Sequence, residues 1–169
     1  MEFSFRLLVN NGIDRFAVMD PMNNVAAMRT MADLTRKAGG SDIVAALTFT
    51  LSPLHDDAHF AEAARKLTET GQFDRLYLKD PGGLVTPERA RTLIPAINAA
   101  ISVPLEFHSH CTIGLAPFSY PEAAQLGATC LHTSSSAAAN DSVVPNIDPR
   151  AINLYPIGTI DTRPSNDFI

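Results

Sequence analysis

Cysteine is scarce in this sequence, with Cys111 and Cys130 as the only two among 169 residues. Two cysteines cannot build a disulfide scaffold, so we expect a reduced, cytoplasmic setting. Lysine and arginine form no clusters and the net charge is −5, which argues against nucleic acid or an anionic membrane as a partner. No apolar run reaches the ~18 residues that a membrane span needs, and the first residues do not resemble a signal peptide.

What the sequence does contain is typical of a folded globular domain, with 46 % hydrophobic and 18 % charged residues. Short apolar runs recur at intervals of roughly 25–30 residues, which is about the length of one βαβ repeat. The runs are Asp14 to Met19, Ile43 to Leu51, Arg75 to Leu78, Val103 to Phe107 and Thr129 to Thr133. Runs of this kind are typical of strands that are buried on both faces of a sheet.

Helical patterns lie between these strand patterns. The predicted helices are Asn24 to Ala38, Ala58 to Thr70, Thr86 to about Ala100, and Pro121 to Leu126. Strands that alternate with helices predict an α/β fold with a parallel sheet. From about Asn140 the alternation ends, so we predict one domain over residues 1–147 and an irregular tail over residues 148–169.

Metal-capable side chains follow two neighbouring strand patterns. Functional groups gather at the carboxyl ends of strands in parallel α/β folds, and here Lys79 closes one strand while His108 and His110 close the next. The alternation of side chains along a strand puts both histidines on one face, where two imidazoles can share one metal ion. Two plainer interpretations stay open: a structural His-x-His pair, and a salt bridge between Lys79 and Asp80 or another carboxylate.

Other polar residues receive weaker interpretations. Asp20 is a candidate for the substrate site, although a cap for the helix that follows is equally compatible with its position. His55 follows a further strand and is a candidate neighbour of the site or a surface residue, and His132 ends another strand and is a candidate neighbour of the site. Cys111 and Cys130 are interpreted as packing residues, Cys130 within an apolar strand.

Four segments together resemble a known family. They read NGIDRFAVMDPMN (residues 11–23), TFTLSPLH (48–55), YLKDPGGLVTP (77–87) and PLEFHSHCTIGLAP (104–117). In order and spacing they resemble the later strands of biotin-dependent carboxyltransferase domains, as in pyruvate carboxylase, the oxaloacetate decarboxylase α subunit and transcarboxylase. This family lies within a superfamily of metal-dependent TIM barrels that includes hydroxymethylglutaryl-CoA lyase. The resemblance implies a partial (β/α) barrel, in which about five parallel strands match strands 4–8 of the family barrel and the N-terminal strands are missing.

The resemblance also assigns roles to individual residues. It implies that Lys79, His108 and His110 bind a divalent metal ion, Zn²⁺, Mn²⁺ or Co²⁺, with Lys79 carbamylated as in several family members. It implies that Ser142 is catalytic and contacts biotin, because a hydroxyl group there helps to move a proton between biotin and the substrate. Asp20 is kept as a further catalytic candidate. Biotin itself is expected on a partner domain or chain, since this sequence has no biotin-accepting Met-Lys pair.

The function that the resemblance implies is carboxyl transfer or decarboxylation of a 2-oxo acid such as pyruvate or oxaloacetate. The RDxHQS motif with its metal-binding aspartate is absent, and Ala17 stands where pyruvate-specific members carry arginine, with Arg15 on the same face as a candidate substitute. These departures leave two alternatives open: an aldolase-like lyase of the same superfamily, and a catalytically incomplete fragment or subunit. A five-stranded parallel sheet has two open edges, so we expect a homo-oligomer or a complex with other subunits.

Overall fold

The computed structural model describes residues 2–134 and 144–145. Its five strands form one parallel sheet, in the order in which they occur along the chain. The strands are β1 (Arg15–Met19), β2 (Asp42–Thr48), β3 (Arg75–Asp80), β4 (Leu105–Ser109) and β5 (Cys130–Leu131). The predicted α/β fold with five parallel strands is therefore confirmed.

Each connection between neighbouring strands contains a helix, and a further helix precedes β1. The helices are α1 (Glu2–Asn10), α2 (Val25–Ala38), α3 (Asp57–Thr68), α4 (Pro87–Ala100) and α5 (Ala116–Gln125). The side chains of Asn24, Asp56 and Thr86 cap α2, α3 and α4, because each accepts a hydrogen bond from the backbone N–H three residues further on. The chain therefore returns to the start of each new strand through a helix, as parallel pairing requires.

Two helices differ from the sequence prediction. α1 was not predicted, because its residues precede the repeating pattern that identified the other helices. α5 begins at Ala116 and not at Pro121. A proline favours the first turn of a helix, but Pro117 occupies that turn here and Pro121 lies inside the helix.

The hydrophobic core lies between the helices and one face of the sheet. The strand side chains that belong to it are Phe16, Val18, Ile43, Ala45, Leu47, Leu76, Leu78, Leu105 and Phe107. Along β1 they alternate with Ala17 and Met19, which are exposed, whereas β2 is buried from Ile43 to Thr48. Burial on both faces, as predicted from the sequence, is thus correct for β2 and wrong for β1, which lies at the edge of the sheet.

β1 and β5 are the two edges of the sheet, and each pairs with one neighbour among the described residues. In this part of the chain, no helix is long and apolar enough to cross a membrane. The predicted tail, residues 148–169, lies outside the described residues, and the domain boundary at residue 147 stays a prediction.

Candidate metal centre

Polar side chains gather on the sheet face opposite the helix-covered core, which we call the open face. In a parallel sheet, the side chains of paired neighbours point to the same face. The register pairs Lys79 with His108, Tyr77 with Glu106, and Glu106 with Cys130. Because the alternate residues of β3 and β4 belong to the apolar core, these five side chains lie on the open face.

The three predicted metal ligands lie close together at one end of this face. Lys79 and His108 are register partners, and the ring centroids of His108 and His110 are 5.2 Å apart. All three residues are half-buried. Burial lowers the pKa of Lys79, which favours its neutral amine. Burial also lowers the pKa of His108 to about 3, and the electrostatic influence of His132, Lys79 and His110 adds to this effect.

One ring nitrogen of this group is a candidate metal-binding atom. The Nε2 atom of His108 is buried and has no hydrogen-bond partner among the described residues. Buried polar atoms are almost always partnered, so an orphaned ring nitrogen is a position that a metal ion fits. Neutral imidazole nitrogens suit Zn²⁺, Mn²⁺ and Co²⁺, and so does the oxygen of a lysine carbamate. The residues present therefore fit a divalent ion.

Lys79 forms no salt bridge with Asp80, and within residues 2–134 it forms none with another carboxylate. Asp80 is fully buried on the opposite face, where its carboxylate accepts hydrogen bonds of 2.9 and 2.8 Å from two backbone N–H groups of the following loop. It also accepts one of 2.7 Å from the Ser109 hydroxyl. The backbone oxygen of Asp80 accepts a further bond of 2.9 Å from the N–H of His110. Asp80 thus ties the end of β3 to the end of β4 and to His110.

Glu106, a fully buried charge on the open face, was missed by the sequence analysis. The Nη2 atom of Arg15 lies 2.6 Å from both of its carboxylate oxygens, and Nη1 of Arg75 lies 3.7 Å from one. Burial raises the pKa of Glu106, but the hydrogen bond from His132 and the charge of Arg15 outweigh it and lower this pKa overall. A signal was available, because Glu106 precedes His108 by two residues and so shares its face.

His132 and Cys130 complete the group. His132 Nε2 lies 2.9 Å from Glu106 Oε2, and His132 Nδ1 lies 3.1 Å from His108 Nδ1. Cys130 was expected in the core, but it is half-buried on the open face because its register partner is Glu106. One potential ligand atom from each of Glu106, Cys130 and His132 lies within 4.8 Å of the others. Arg15 and Arg75, which lie beside Glu106, disfavour a cation at that trio.

Asp20 is placed in the loop that follows β1. Its Oδ1 atom accepts hydrogen bonds from the backbone N–H groups of Met22 (2.9 Å) and Asn24 (3.1 Å). Asn24 is itself the cap of α2, so Asp20 shapes the loop and does not cap the helix. The catalytic role of Asp20 stays a prediction.

The remaining candidates lie elsewhere or outside the described residues. The ring of His55 packs against His59 and Phe60 at centroid distances of 4.6 and 5.9 Å, and not against the metal centre. Cys111 is buried in the hydrophobic core, which confirms its interpretation as a packing residue. Ser142 lies outside the described residues, and its assignment stays a prediction.

Known proteins are similar to this chain in sequence and in fold. A subunit of the pyruvate carboxylase of Methanocaldococcus jannaschii is 38 % identical over 144 residues, which are 85 % of this chain and 25 % of that protein. The carboxyl transferase domain of Rhizobium etli pyruvate carboxylase, in a structure with pyruvate and biocytin, matches with a TM-score of 0.81 and 26 % identity, over 86 % of this chain and 25 % of that one. The chain is similar to one part of the biotin-dependent carboxyltransferase domains, and the resemblance predicted from the sequence is confirmed.

Three further results describe how the chain relates to known proteins. No model of a protein family matches the chain. The chain spans about a quarter of the length of the Methanocaldococcus jannaschii protein that it matches. The 4-hydroxy-2-oxovalerate aldolase of Carboxydothermus hydrogenoformans is 41 % identical over 64 residues, which are 38 % of this chain and 19 % of that protein. The sheet described above therefore corresponds to one part of the carboxyltransferase barrel.

Proposed function

We propose that this chain takes part in metal-dependent carboxyl transfer or decarboxylation of a 2-oxo acid, with biotin as the carboxyl carrier. The observation that carries the proposal is the buried, unpartnered Nε2 atom of His108 beside Lys79 and His110. The similarity to a carboxyl transferase domain that was solved with pyruvate and biocytin supports this choice of chemistry.

Lys79, His108 and His110 are the residues that would hold the metal ion, which we expect to be Zn²⁺, Mn²⁺ or Co²⁺. Such an ion, when bound, polarises the carbonyl group of a 2-oxo acid and stabilises the negative charge of its enolate. The lowered pKa of Lys79 favours the neutral amine, the form that reacts with carbon dioxide to give a carbamate. The lowered pKa of His108 keeps its ring neutral, as a metal ligand must be.

Ser142 and Asp20 are the proposed catalytic residues besides Lys79. The Ser142 hydroxyl would carry a proton between biotin and the substrate. Asp20 belongs to the loop at the carboxyl end of β1, the end at which parallel α/β folds place their active groups. Ala17 is small and exposed, and Arg15 is bound to Glu106, so Arg15 is not the group that holds a substrate carboxylate. A pyruvate-like or oxaloacetate-like substrate therefore stays the expectation, with its carboxylate partner unassigned.

An aldolase-like lyase is the second candidate, and the partial match to 4-hydroxy-2-oxovalerate aldolase favours it. Both functions would use the same metal chemistry on a 2-oxo acid, so the ligand residues do not distinguish them. Dependence on biotin distinguishes carboxyl transfer from the lyase reaction. A third possibility is a catalytically incomplete subunit, which would bind metal without turnover of either substrate class.

The proposed chemistry implies partners for this chain. Biotin must arrive on a carrier domain or chain. In the part of the chain that the structure describes, β1 and β5 each pair on one side only, which leaves room for association with a second copy or another subunit. We expect neither nucleic acid nor a membrane as a partner, and a cytoplasmic location, from the composition given above.

Metal content per chain tests the ligand assignment. After loading with Zn²⁺, Mn²⁺ or Co²⁺, we expect about one equivalent by elemental analysis in the wild-type protein. His108→Ala, His110→Ala and Lys79→Ala should each lose it. His55→Ala is the matched control, because this histidine packs away from the metal centre, and it should retain the metal. Full occupancy in the three ligand variants would contradict the assignment.

Turnover assays then separate the candidate functions. Carboxyl transfer or decarboxylation of pyruvate or oxaloacetate that requires both biotin and His108 supports the first proposal. Cleavage of a 4-hydroxy-2-oxo acid without biotin supports the lyase. Metal binding with neither activity supports an incomplete subunit, which overturns the catalytic part of the proposal.

A further inference from the structure

A hydrogen-bonded chain of three side chains ends at the orphaned nitrogen of the metal centre. It begins at Glu106, whose Oε2 atom lies 2.9 Å from His132 Nε2. His132 Nδ1 lies 3.1 Å from His108 Nδ1. The far nitrogen of the second ring, His108 Nε2, is buried and has no partner among the described residues. The chain therefore links a carboxylate to the atom that would bind the metal.

The proton positions in this chain follow from donor and acceptor chemistry. An ionised carboxylate only accepts, so the 2.9 Å contact requires a proton on His132 Nε2. A neutral His132 then has a lone pair on Nδ1, and the 3.1 Å contact requires the proton of His108 to be on its Nδ1. A neutral imidazole carries one N–H, so His108 Nε2 is left with a lone pair.

The opposite arrangement is disfavoured. If His132 donated from Nδ1, His108 would carry its proton on Nε2. That would bury an N–H group with no acceptor, which proteins avoid. The same arrangement would also remove the lone pair that a metal ion needs.

Glu106 and His132, which form one end of this hydrogen-bonded series, are both held in place by their neighbours. Arg15 Nη2 lies 2.6 Å from both oxygens of Glu106, and the side chain of Glu106 is fully buried. The backbone of His132 is held on both sides, by its N–H to the carbonyl of Phe107 (3.0 Å) and by the hydroxyl of Tyr120 to its carbonyl (2.8 Å). His132 therefore has little freedom to leave the contact with His108.

The orientations of the His108 and His132 rings are also fixed by packing. Tyr77 packs against the rings of His132 and His108 at centroid distances of 5.1 and 5.8 Å. The two histidine rings meet edge to face, with an interplanar angle of 85° and centroids 5.3 Å apart. Both the position and the orientation of His108 are thus set by neighbours on the open face.

We propose that Glu106 and His132 are positioning residues, which hold His108 in the tautomer whose Nε2 lone pair is available to a metal ion. This inference rests on the proposed function, because it assumes that His108 is a ligand. Metal-binding histidines commonly donate their other ring N–H to a fixed acceptor, which sets the tautomer and the ring orientation. Here the acceptor is a second histidine, itself set by a buried carboxylate.

The tautomer can be read directly in the metal-free protein. Two-bond ¹H–¹⁵N correlation spectra of protein labelled with ¹⁵N-histidine distinguish a protonated ring nitrogen from one with a lone pair. We expect His108 to carry its proton on Nδ1, and His132 on Nε2. A proton on Nε2 of His108 would overturn the proposal, whatever the protein does with metal ions.

Metal affinity is the second measurement, by titration with Co²⁺ or Zn²⁺ alone. His132→Phe keeps a ring but cannot hydrogen-bond, and we expect it to bind about 10- to 100-fold more weakly than the wild-type protein. His132→Gln retains a donor and an acceptor, so it should lose less. His55→Phe is the control, because it makes the same replacement in a ring outside the group, and its affinity should be unchanged.

The outcomes separate the two proposals. If the wild-type protein binds metal and His108→Ala does not, the ligand assignment holds; unchanged affinity in His132→Phe then overturns the positioning role alone. Equal losses in His132→Phe and His132→Gln, with both variants folded by far-UV circular dichroism, also overturn it, because packing would then explain the effect. If the wild-type protein binds no metal, the ligand assignment and the positioning role fail together.

Discussion

Gly83 lies where the loop after β3 touches the end of β4, and it has almost no room for a side chain. Its φ is +67°, and a Cβ atom placed there would lie 2.5 Å from the carbonyl oxygen of His110. Carbon atoms need about 3.5 Å from such a neighbour, so Gly83→Ala must push the His110 backbone by roughly 1 Å. We predict that this substitution weakens both the fold and the metal centre.

Gly71 provides a matched control for the backbone contribution. Its φ is +71°, close to that of Gly83, but nothing lies within 4 Å of a Cβ atom placed there. Alanine in a left-handed conformation costs about 1–2 kcal/mol, and this applies to both positions. Overpacking adds about 1–3 kcal/mol at Gly83 alone. Gly83→Ala should therefore lower the free energy of unfolding by about 1–3 kcal/mol more than Gly71→Ala does.

Urea unfolding followed by far-UV circular dichroism measures this difference, and a Co²⁺ titration measures its effect on the metal centre. We expect weaker Co²⁺ binding in Gly83→Ala and unchanged binding in Gly71→Ala, because His110 moves only in the first. If both variants lose the same stability and retain the same affinity, then the contact between Gly83 and His110 does not position the ligand.

Two further predictions concern the rest of the molecule. Burial raises the pKa of Asp74, but its bonds with the Ile43 N–H and Arg36 lower it overall, so this contribution to stability is present above pH 3.8 and is lost as the pH falls through the lowered folded-state pKa. Asp74→Asn should therefore have a lower urea midpoint than the wild-type protein at neutral pH and a smaller deficit in acid; a constant deficit would contradict this. Among the described residues β1 and β5 each pair on one side only, which predicts association, and light scattering from a stable, compact monomer would argue against it.

The strand–helix alternation was predictable because local forces set it. Apolar runs, capping residues and glycines are read within a few positions, and the predicted strands overlap all five that the structure contains. Residues at strand ends were accessible in the same way, since a parallel sheet brings its carboxyl ends together. That rule places Lys79, His108 and His110 at one end of the sheet, and the family resemblance implied that they bind one metal ion.

Prediction from the local sequence failed for residues that suit two different structural positions. Pro121 fits the first turn of a helix, but the structure begins α5 at Ala116 and retains Pro121 inside it. Cys130 is apolar enough for the core, yet its pairing with Glu106 puts it on the open face. For Cys130 the deciding neighbour belongs to another strand and is distant in the sequence.

The sequence by itself determined the alternation of strands with helices from β1 onwards, and that Lys79, His108 and His110 share the end of a sheet. Only the tertiary structure decided that Glu106 and His132 contact each other beside His108. These two residues are 26 positions apart and meet because β4 and β5 pair in one register. A shift of that register by one residue would turn the side chains of β5 to the other face of the sheet. Such a contact depends on pairing between distant segments, and no pattern within a single segment records it.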